Sequence, residues 1–507
     1  MKNVAQYACA LGLIGLLVSS SPSGAAGIAP PFGGAGAISP PSALHHPEAG
    51  RYGRFRPDTC SGKGVDSFVG GSGGTGGLNI AGGNYSGVLS GTKNFACGEF
   101  SSVSAGFSNE TDENSDFIGG GSTNIAGGLA TVNQPSNAVV AGTNNDNEGL
   151  YSVIGAGGQN KIAASCHEGT SGCQSPYGGT DSAIVAGKSN IVNGGTGNTA
   201  NDSIIGAGAS NTLTGQWAAI VAGGSNQEYG DYGFVGGGSK NVLAATAQYG
   251  SLGGGTSNQV NATAASVGGG NANIAGGSYA AIAGGSSNSA SGLRASVLGG
   301  GKNQATGQDS AVPGGNSNLA QGVGSLAAGR GAVAANDGSF VWSDQATKPP
   351  LTTTAVDQFV VRASGGVYFY SSLKLTTGVN LAPGSGSWST LSDRAVKTAF
   401  APLDDDAVLA KVAALPVSEW SYTAQGTGIR HVGPMAQDFR SAFRLGEDDR
   451  HISIVDENGV ALAAIKALKR NNDALLSEVR SESADIAVLK TDLARIASRL
   501  RTLEQKR

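Results

Sequence analysis

Ser392 and Lys397 stand five residues apart, and they are residue types that can serve as a nucleophile and its base. A serine hydroxyl is a weak nucleophile that needs a base, and a lysine amine fills that role only where burial or a nearby cation lowers its pKa. A backbone bond beside the pair is held at high effective concentration, so a modest site would suffice to cut it. The alternative is that Ser392 caps a helix starting near Asp393 and Lys397 is exposed, and the spacing alone favours this alternative. His431 is a candidate helper, although a structural or exposed histidine is at least as reasonable.

The pair lies at a change in composition. The 507 residues include 84 glycines and only 13% charged residues, which is unusual for a globular enzyme. About half of the Asp, Glu, Lys and Arg residues follow Thr390, and this shift indicates a domain boundary. The net charge of -4, with no basic stripe in the sequence, argues against nucleic acid as a partner.

Residues 1–26 have the features of a secretory signal peptide, with Lys2, an apolar run from about Tyr7 to Val18, and small residues at Gly24 and Ala26. The run is well short of the ~20 apolar residues that span a membrane, so a membrane anchor is the weaker interpretation. We therefore expect a secreted or cell-surface protein with no membrane span after signal removal. Residues 27–66 are rich in Pro, Gly and Ala and are expected to form an extended leader.

Four cysteines follow the predicted signal peptide: Cys60, Cys97, Cys166 and Cys173. An even number in an exported protein indicates disulfides, and four cysteines allow three pairings. The short loop favours Cys166–Cys173, which leaves Cys60–Cys97. A zinc site is the alternative, but neither a CxxC motif nor paired histidines accompany the cysteines. We expect no metal and no cofactor.

From 67 to 335 the chain repeats the unit Ser-x-(Val/Ile/Leu)-x-Gly-Gly-x-x-Asn. Each unit predicts two short strands with small apolar residues on one side, and Gly and Asn tolerate the positive φ of the turns between them. The asparagines, most of them 15 residues apart, are expected to form a ladder in the turns: Asn79, Asn94, Asn109, Asn124, Asn144, Asn160, Asn190, Asn211, Asn226, Asn241, Asn258, Asn273, Asn288, Asn303 and Asn318.

Such units bury their apolar face only by stacking, which predicts a mainly β fold with a Gly-rich parallel β-solenoid. A thin shaft has a poor surface-to-volume ratio, so we expect it to bury one face against other copies in an oligomer. The repeats resemble the head repeats of YadA-type trimeric autotransporter adhesins. This resemblance implies a left-handed β-roll assembled as a trimer. That family ends in a membrane-embedded anchor, whose pattern the Leu503–Arg507 end of this chain lacks, so we do not expect anchoring by this end.

Residues 336–390 leave the repeat motif. The alternating, aromatic stretches Phe340–Ser343 and Asp357–Tyr370 predict strands that close the open end of the solenoid, followed by a flexible approach over Leu381–Ser389. Residues 391–460 predict a small α/β module with a helix over Asp404–Leu415 and a strand over Val417–Tyr422.

A final helix is predicted to begin over Gly459–Arg470 and to form a coiled coil over residues 461–507. Ten of its twelve heptad a and d positions are apolar. The a positions are Ile465, Asn472, Val479, Ile486, Leu493 and Leu500, and the d positions are Leu468, Leu475, Glu482, Leu489, Ile496 and Leu503. The alternative is one amphipathic helix packed on its own domain. A trimer is reasonable, but the a and d residues alone do not decide the oligomer.

Residues 390–507 resemble the intramolecular chaperone domain at the C-terminus of phage endosialidases and tail spikes. The resemblance is carried, in order, by Leu391-Ser392-Asp393 with Lys397, by Gly433–Asp438, by Val455-Asp456 and by Ala463–Leu468. It implies that the domain trimerises the fibre as it folds and then cuts itself off between Leu391 and Ser392, with Ser392 and Lys397 as the dyad. Ala395 stands where many members carry Arg, which puts the orientation of the loop in question.

These patterns predict a secreted or surface-displayed homotrimeric, adhesin-like fibre whose head binds an unidentified surface ligand. Its C-terminal chaperone would act once in cis as a serine endopeptidase. The alternative is a structural fibre or phage-tail-like component that keeps the module as a permanent clamp. A carbohydrate-degrading spike is not supported, because no paired carboxylates stand out in the solenoid.

Overall fold

The computed structural model describes residues 60, 62–71, 77–127, 136–163, 179–193, 200–345 and 349–506. The predicted signal peptide, most of the predicted leader, and the cysteine pair Cys166 and Cys173 lie outside the described residues. Across the described ranges the fold is mainly β, as predicted, with helices confined to the residues after Thr390.

The repeats form a parallel β-solenoid in which each repeat contributes one strand to each of two sheets. Sheet A contains Phe68–Val69, Gly87–Val88, Ser102–Val103, Phe117–Ile118, Ala138–Val139, Val153–Ile154, Ala183–Ile184, Ile204–Ile205, Ala219–Ile220, Phe234–Val235, Ser251–Leu252, Ser266–Val267, Ala281–Ile282, Ser296–Val297, Ala311–Val312, Gly315–Asn316, Leu326–Arg330, Phe340–Ser343 and Phe359–Arg362. Sheet B contains Ile80–Ala81, Phe95–Ala96, Glu110–Thr111, Ile125–Ala126, Asp146–Asn147, Lys161–Ala163, Ile191–Asn193, Thr212–Leu213, Gln227–Glu228, Val242–Leu243, Gln259–Val260, Ile274–Ala275, Ser289–Ala290, Gln304–Ala305, Leu319–Ala320, Ala332–Ala334 and Leu351–Thr352.

The core of the solenoid is a column of side chains from the second residue of most of the two-residue strands. Val267 of sheet A and Ala275 of sheet B are buried, whereas Ser266 and Ile274 before them face outward. Successive repeats pair in register, so Ser266 lies beside Ala281 of the next turn. The period-2 alternation of a strand thus separates one buried column from one outward column in each sheet.

The turns between the strands require positive φ at fixed positions. Gly255 has φ +88°, and a Cβ on it would lie 2.1 Å from the carbonyl oxygen of Gly270 in the next turn. Only glycine fits this approach between stacked backbones. The Gly-Gly element of the repeat therefore has a steric cause.

An asparagine ladder runs through the same turns, as predicted. The Nδ2 of Asn258 donates to the carbonyl oxygens of Gly254 (3.0 Å) and Gly270 (2.9 Å), and its Oδ1 accepts from the backbone N–H of Asn273 (3.0 Å). The prediction was wrong at Asn144, which has φ 53° in the turn. The ladder position belongs to Asn145, whose backbone N–H donates to Asn124 Oδ1.

Parallel stacking continues past the end of the repeat motif at residue 335. Phe340–Ser343 pairs with Leu326–Arg330, and Phe359–Arg362 pairs with Phe340–Ser343, so these strands are the last turns of the solenoid. An antiparallel sheet of Val367–Tyr370, Gly378–Leu381 and Trp388–Thr390 follows them. The stretch Leu381–Ser389 is therefore not a flexible approach, because Leu381 pairs with Trp388 across a turn.

The remaining module contains a 3-10 helix at Arg394–Val396, α1 (Asp405–Ala414), an antiparallel pair of strands (Ser418–Trp420 and His431–Gly433), α2 (Ala436–Phe443) and α3 (Ile454–Glu504). Asp404 caps α1 by accepting from the backbone N–H groups of Asp406 and Ala407. The helices share a small core that contains Val408, Phe439, Val460, Ala463 and Ala464.

Helix α3 starts at Ile454, before the predicted start at Gly459. Asp456 and Glu457 lie in its first turn, where their negative charges interact favourably with the positive end of the helix dipole. Beyond Ala467, no other described residue buries the a and d side chains of α3, and the apolar ones from Ile465 to Leu503 are 48–68% exposed. Intrachain packing, the alternative to a coiled coil, therefore applies only to the first turns of the helix. No helix among the described residues is both long and apolar enough to cross a membrane.

Candidate active site

Ser392 lies directly after the antiparallel sheet that follows the solenoid. The last strand of that sheet ends at Thr390, and the backbone N–H of Leu391 still donates to the carbonyl oxygen of Gly378 at 3.1 Å. The Leu391–Ser392 peptide bond is thus held on its N-terminal side by the sheet. It is the first bond of the chain beyond the sheet's hydrogen bonds.

A short 3-10 helix positions Lys397 on the other side of this bond. Asp393 caps it by accepting from the backbone N–H of Ala395 at 2.9 Å, and the backbone N–H of Lys397 donates to the carbonyl oxygen of Arg394 at 3.2 Å. The turn returns the chain toward Ser392, so that Lys397 Nζ donates to Ser392 Oγ at 2.5 Å. The structure therefore brings together the two residues of the predicted dyad.

Asp393 is a positioning residue that the sequence analysis did not assign. Asp393, rather than Ser392, caps the short helix; capping by Ser392 was the alternative to a nucleophilic role for that serine. The signal was present, because aspartate is among the favoured N-cap residues and Asp393 immediately precedes the turn.

The dyad is open to water in the described protomer. Ser392 and Lys397 are both exposed, and Leu391 is 42% exposed. Apolar side chains around the turn are also uncovered, with Val396 at 37% and Phe400 at 63% exposed. A lysine becomes a base where water is excluded or a cation lies nearby. In the protomer, Ser392 and Lys397 are thus in contact, but their surroundings do not exclude water.

His431 lies in an aromatic cluster on the antiparallel strand pair. Its Nε2 is 2.8 Å from Gln425 Oε1, its ring stacks on Trp420 at 4.8 Å, and it meets Tyr422 edge-on at 5.3 Å. These contacts join His431 to the β-strand pair rather than to Ser392 or Lys397. The geometry favours the structural interpretation of this histidine over a helper role.

The cysteines in the described residues form a disulfide rather than a thiolate site. Cys60 is bonded to Cys97, which is the pairing that the sequence favoured. Cys97, Glu110 and Asp112 place one potential ligand atom each within 4.8 Å of one another. Burial, reinforced by the charge of Asp112, raises the pKa of Glu110 to about 8. A bonded sulfur and a carboxyl that retains its proton at neutral pH do not fit the deprotonated donors that a metal requires.

One comparison with known families bears on this module. Residues 392–444 match the family model described as chaperone of endosialidase. The match begins at Ser392 and includes Lys397, α1, the strand pair with His431, and α2. The predicted resemblance is therefore confirmed for this segment, which we call the chaperone domain. A search of curated protein sequences found no match to the chain.

The chaperone domain lies between the long solenoid and the long helix α3. Its core joins α1 and α2 to the first turns of α3, and Lys466 of α3 pairs with Asp405 of α1 at 3.1 Å. Helix α3, which carries the exposed heptad positions, is thus packed onto the chaperone domain, whose first residue is Ser392.

Proposed function

We propose that the protein is a homotrimeric fibre whose chaperone domain directs trimerisation and then cleaves the Leu391–Ser392 bond. Ser392 acts as the nucleophile and Lys397 as its base. The observation that carries the proposal is the 2.5 Å hydrogen bond between Lys397 Nζ and Ser392 Oγ, at the first residue of the chaperone domain.

The uncovered heptads of α3 support the trimer. A stripe of leucine, isoleucine and valine that is about half exposed along a 51-residue helix is stable in water only when other helices cover it. Asn472 and Glu482 interrupt the stripe and fix the register of the copies at some cost in stability. Three copies in register would bring three chaperone domains to the same level of the fibre.

Cleavage by this dyad can be written as a balanced sequence. Lys397 takes the proton of Ser392 Oγ as the oxygen attacks the carbonyl carbon of Leu391, and the protonated lysine then returns a proton to the departing amide nitrogen of Ser392. The acyl group of Leu391 is now an ester on Ser392 Oγ, and water hydrolyses it to a free Leu391 carboxylate. The sequence consumes one water molecule, and Ser392 and Lys397 supply the nucleophile and the proton transfers.

Assembly would act as the switch for this reaction. The exposed apolar neighbours of the dyad, Leu391, Val396 and Phe400, are surfaces that a second copy could cover. Covering them would exclude water from Lys397 and favour its neutral form. Cutting would then follow trimerisation rather than precede it.

The solenoid is the head that remains after the cut. We place it outside the cell, exported by residues 1–26, where it serves as an adhesin-like surface for an unidentified ligand. The Cys60–Cys97 disulfide supports this location, because structural disulfides persist in oxidising compartments.

Denaturing gels of purified wild type, Ser392→Ala and Lys397→Ala, with mass spectrometry of each band, test the cleavage. Wild type is expected to give two pieces that meet between residues 391 and 392, and both variants are expected to stay uncut. Ser389→Ala, an exposed serine three residues before the site, is the matched control and should be cut like wild type. Uncut wild type that sediments as a trimer would instead support the permanent clamp, and a cut Ser392→Ala would overturn the dyad.

A further inference from the structure

The two sheets of the solenoid differ in the chemistry of their outward side chains. In sheet A, from Phe68–Val69 to Ala311–Val312, the outward positions are the first residue of each strand and the residue that follows its second. None of these positions holds Asp, Glu, Lys or Arg. The same positions of sheet B hold five charged residues, Glu110, Asp112, Asp146, Glu148 and Lys161.

Large apolar side chains also concentrate on the outer surface of sheet A. Ten of them are 39–59% exposed in the protomer: Phe68, Leu89, Phe117, Val140, Val153, Val185, Ile204, Val221, Phe234 and Leu298. At the corresponding positions of sheet B the most exposed large apolar side chains are Ile191 and Ile274, at 37% and 38%. An extended apolar surface of this kind marks an interface on a protein that is soluble in water.

The protomer has no means of covering this surface within the described residues. The interior of the solenoid is already filled by the second residue of each strand, such as Ile205 and Val235, both fully buried. The exposed column of sheet A therefore lies outside the protomer's own core. Between Ser251 and Ala283 its members are only Ser, Gly and Ala, which lets another backbone approach closely.

Resting on the trimer proposed above, we infer that sheet A faces the other two copies along the three-fold axis and that sheet B faces solvent. Parallel copies held in register by α3 bring equivalent turns of the solenoid to the same height. Each outward residue near the axis then meets its own counterparts, and like charges at such positions repel. Sheet A has no charged side chain at these outward positions in any described turn up to Val312, so it avoids this repulsion. Sheet B would bring together the Asp112 carboxylates of three copies, and likewise their Asp146, Glu148 and Lys161 groups.

The test compares two serines that differ only in the sheet on which they lie. Ser266 of sheet A and Ser289 of sheet B are each the first residue of a two-residue strand, and both are partly buried in the protomer. Ser266→Cys and Ser289→Cys are near-isosteric changes. The rate of maleimide labelling of each is measured on full-length protein, with wild type as background for the native cysteines.

In native protein that sediments as a trimer, Ser266→Cys is expected to react at least tenfold more slowly than Ser289→Cys, and the two should react equally after denaturation. Equal rates in a native trimer, or slower reaction at Ser289→Cys, would overturn the inference while leaving the trimer intact. Sedimentation as a single protomer would instead overturn the trimer itself, so the two failures are distinguishable. Circular dichroism and thermal unfolding of both variants verify that they fold.

Discussion

Asp393 Oδ1 accepts from the backbone N–H of Ala395 and thereby fixes the turn that brings Lys397 Nζ to Ser392 Oγ. Both hydrogen bonds lie within an exposed segment of six residues. The geometry of the proposed dyad is therefore local, whereas the exclusion of water that the proposed reaction requires would come from elsewhere.

Loss of this cap should slow cleavage without preventing assembly. Removing an N-cap costs about 0.5–2 kcal/mol, so Asp393→Ala should lower the cleavage rate severalfold to tens of fold, and Asp393→Asn, which keeps an accepting oxygen, should restore most of it. The cut fraction is followed over time on gels, with sedimentation of the uncut protein. Asp448→Ala is the control, because Asp448 makes the same kind of cap to Arg450 and His451. Equal slowing by both variants would assign the effect to general destabilisation.

Trimerisation should depend on heptad position rather than on apolar exposure. Leu489 occupies a d position and Val488 is its neighbour off the a and d positions, and the two are 65% and 60% exposed in the protomer. Leu489→Asp is expected to abolish the trimer in sedimentation and, with it, the cut, because a charge at the seam is buried without a partner. Val488→Asp should preserve both. Cutting by a Leu489→Asp protomer would show that assembly does not control the dyad.

The asparagine ladder should determine the stability of the head. Asn258→Ala leaves the carbonyl oxygen of Gly254 and the backbone N–H of Asn273 without their side-chain partner, and the carbonyl oxygen of Gly270 keeps only the backbone N–H of Thr256. Each unpaired buried group costs about 1–3 kcal/mol, so the melting temperature should fall by many degrees. Asn271→Ala, at an exposed asparagine thirteen residues further along the chain, should change the melting temperature little. Hydrogen exchange is expected to rise at the turns next to Asn258, and unchanged protection there would contradict the ladder's role.

The head should be more stable in acid than in alkali. Glu228 is fully buried in the core column, where its Oε1 accepts from the backbone N–H of Gly230, and burial raises its pKa from 4.5 to about 8. The folded state therefore binds this proton more tightly than the unfolded state. This contribution to stability is complete below pH 4.5 and is lost as the pH rises through 8.

Glu228→Gln keeps the accepting oxygen and removes the charge. Its melting temperature should exceed that of wild type by several degrees at pH 9 and match it near pH 5. Asp116 has the same raised pKa of about 8 from burial, so some pH dependence should remain in the variant. Glu99→Gln, at a half-buried carboxylate on the turn, is the control. Equal pH profiles for wild type and Glu228→Gln would contradict the burial of a protonated acid.

The repeat period was enough to predict the solenoid, because both the core column and the turn chemistry recur at one spacing. It was not enough to choose between Asn144 and Asn145, since an irregular insertion precedes them and either residue is compatible with a turn. The strands at Phe340 and Phe359 continue the stack without the motif, because backbone pairing does not require the Gly-Gly turn. At the dyad, spacing alone favoured a capping serine, and only the position of Asp393 shows which residue takes that role.

The hydrogen bond from Leu391 to Gly378 has a consequence for the finished fibre. Scission after Leu391 would leave all three strands of the antiparallel sheet on the upstream product, with the new carboxylate pinned to its edge. The end of the solenoid fragment would then remain hydrogen-bonded within this sheet after the chaperone domain had been released.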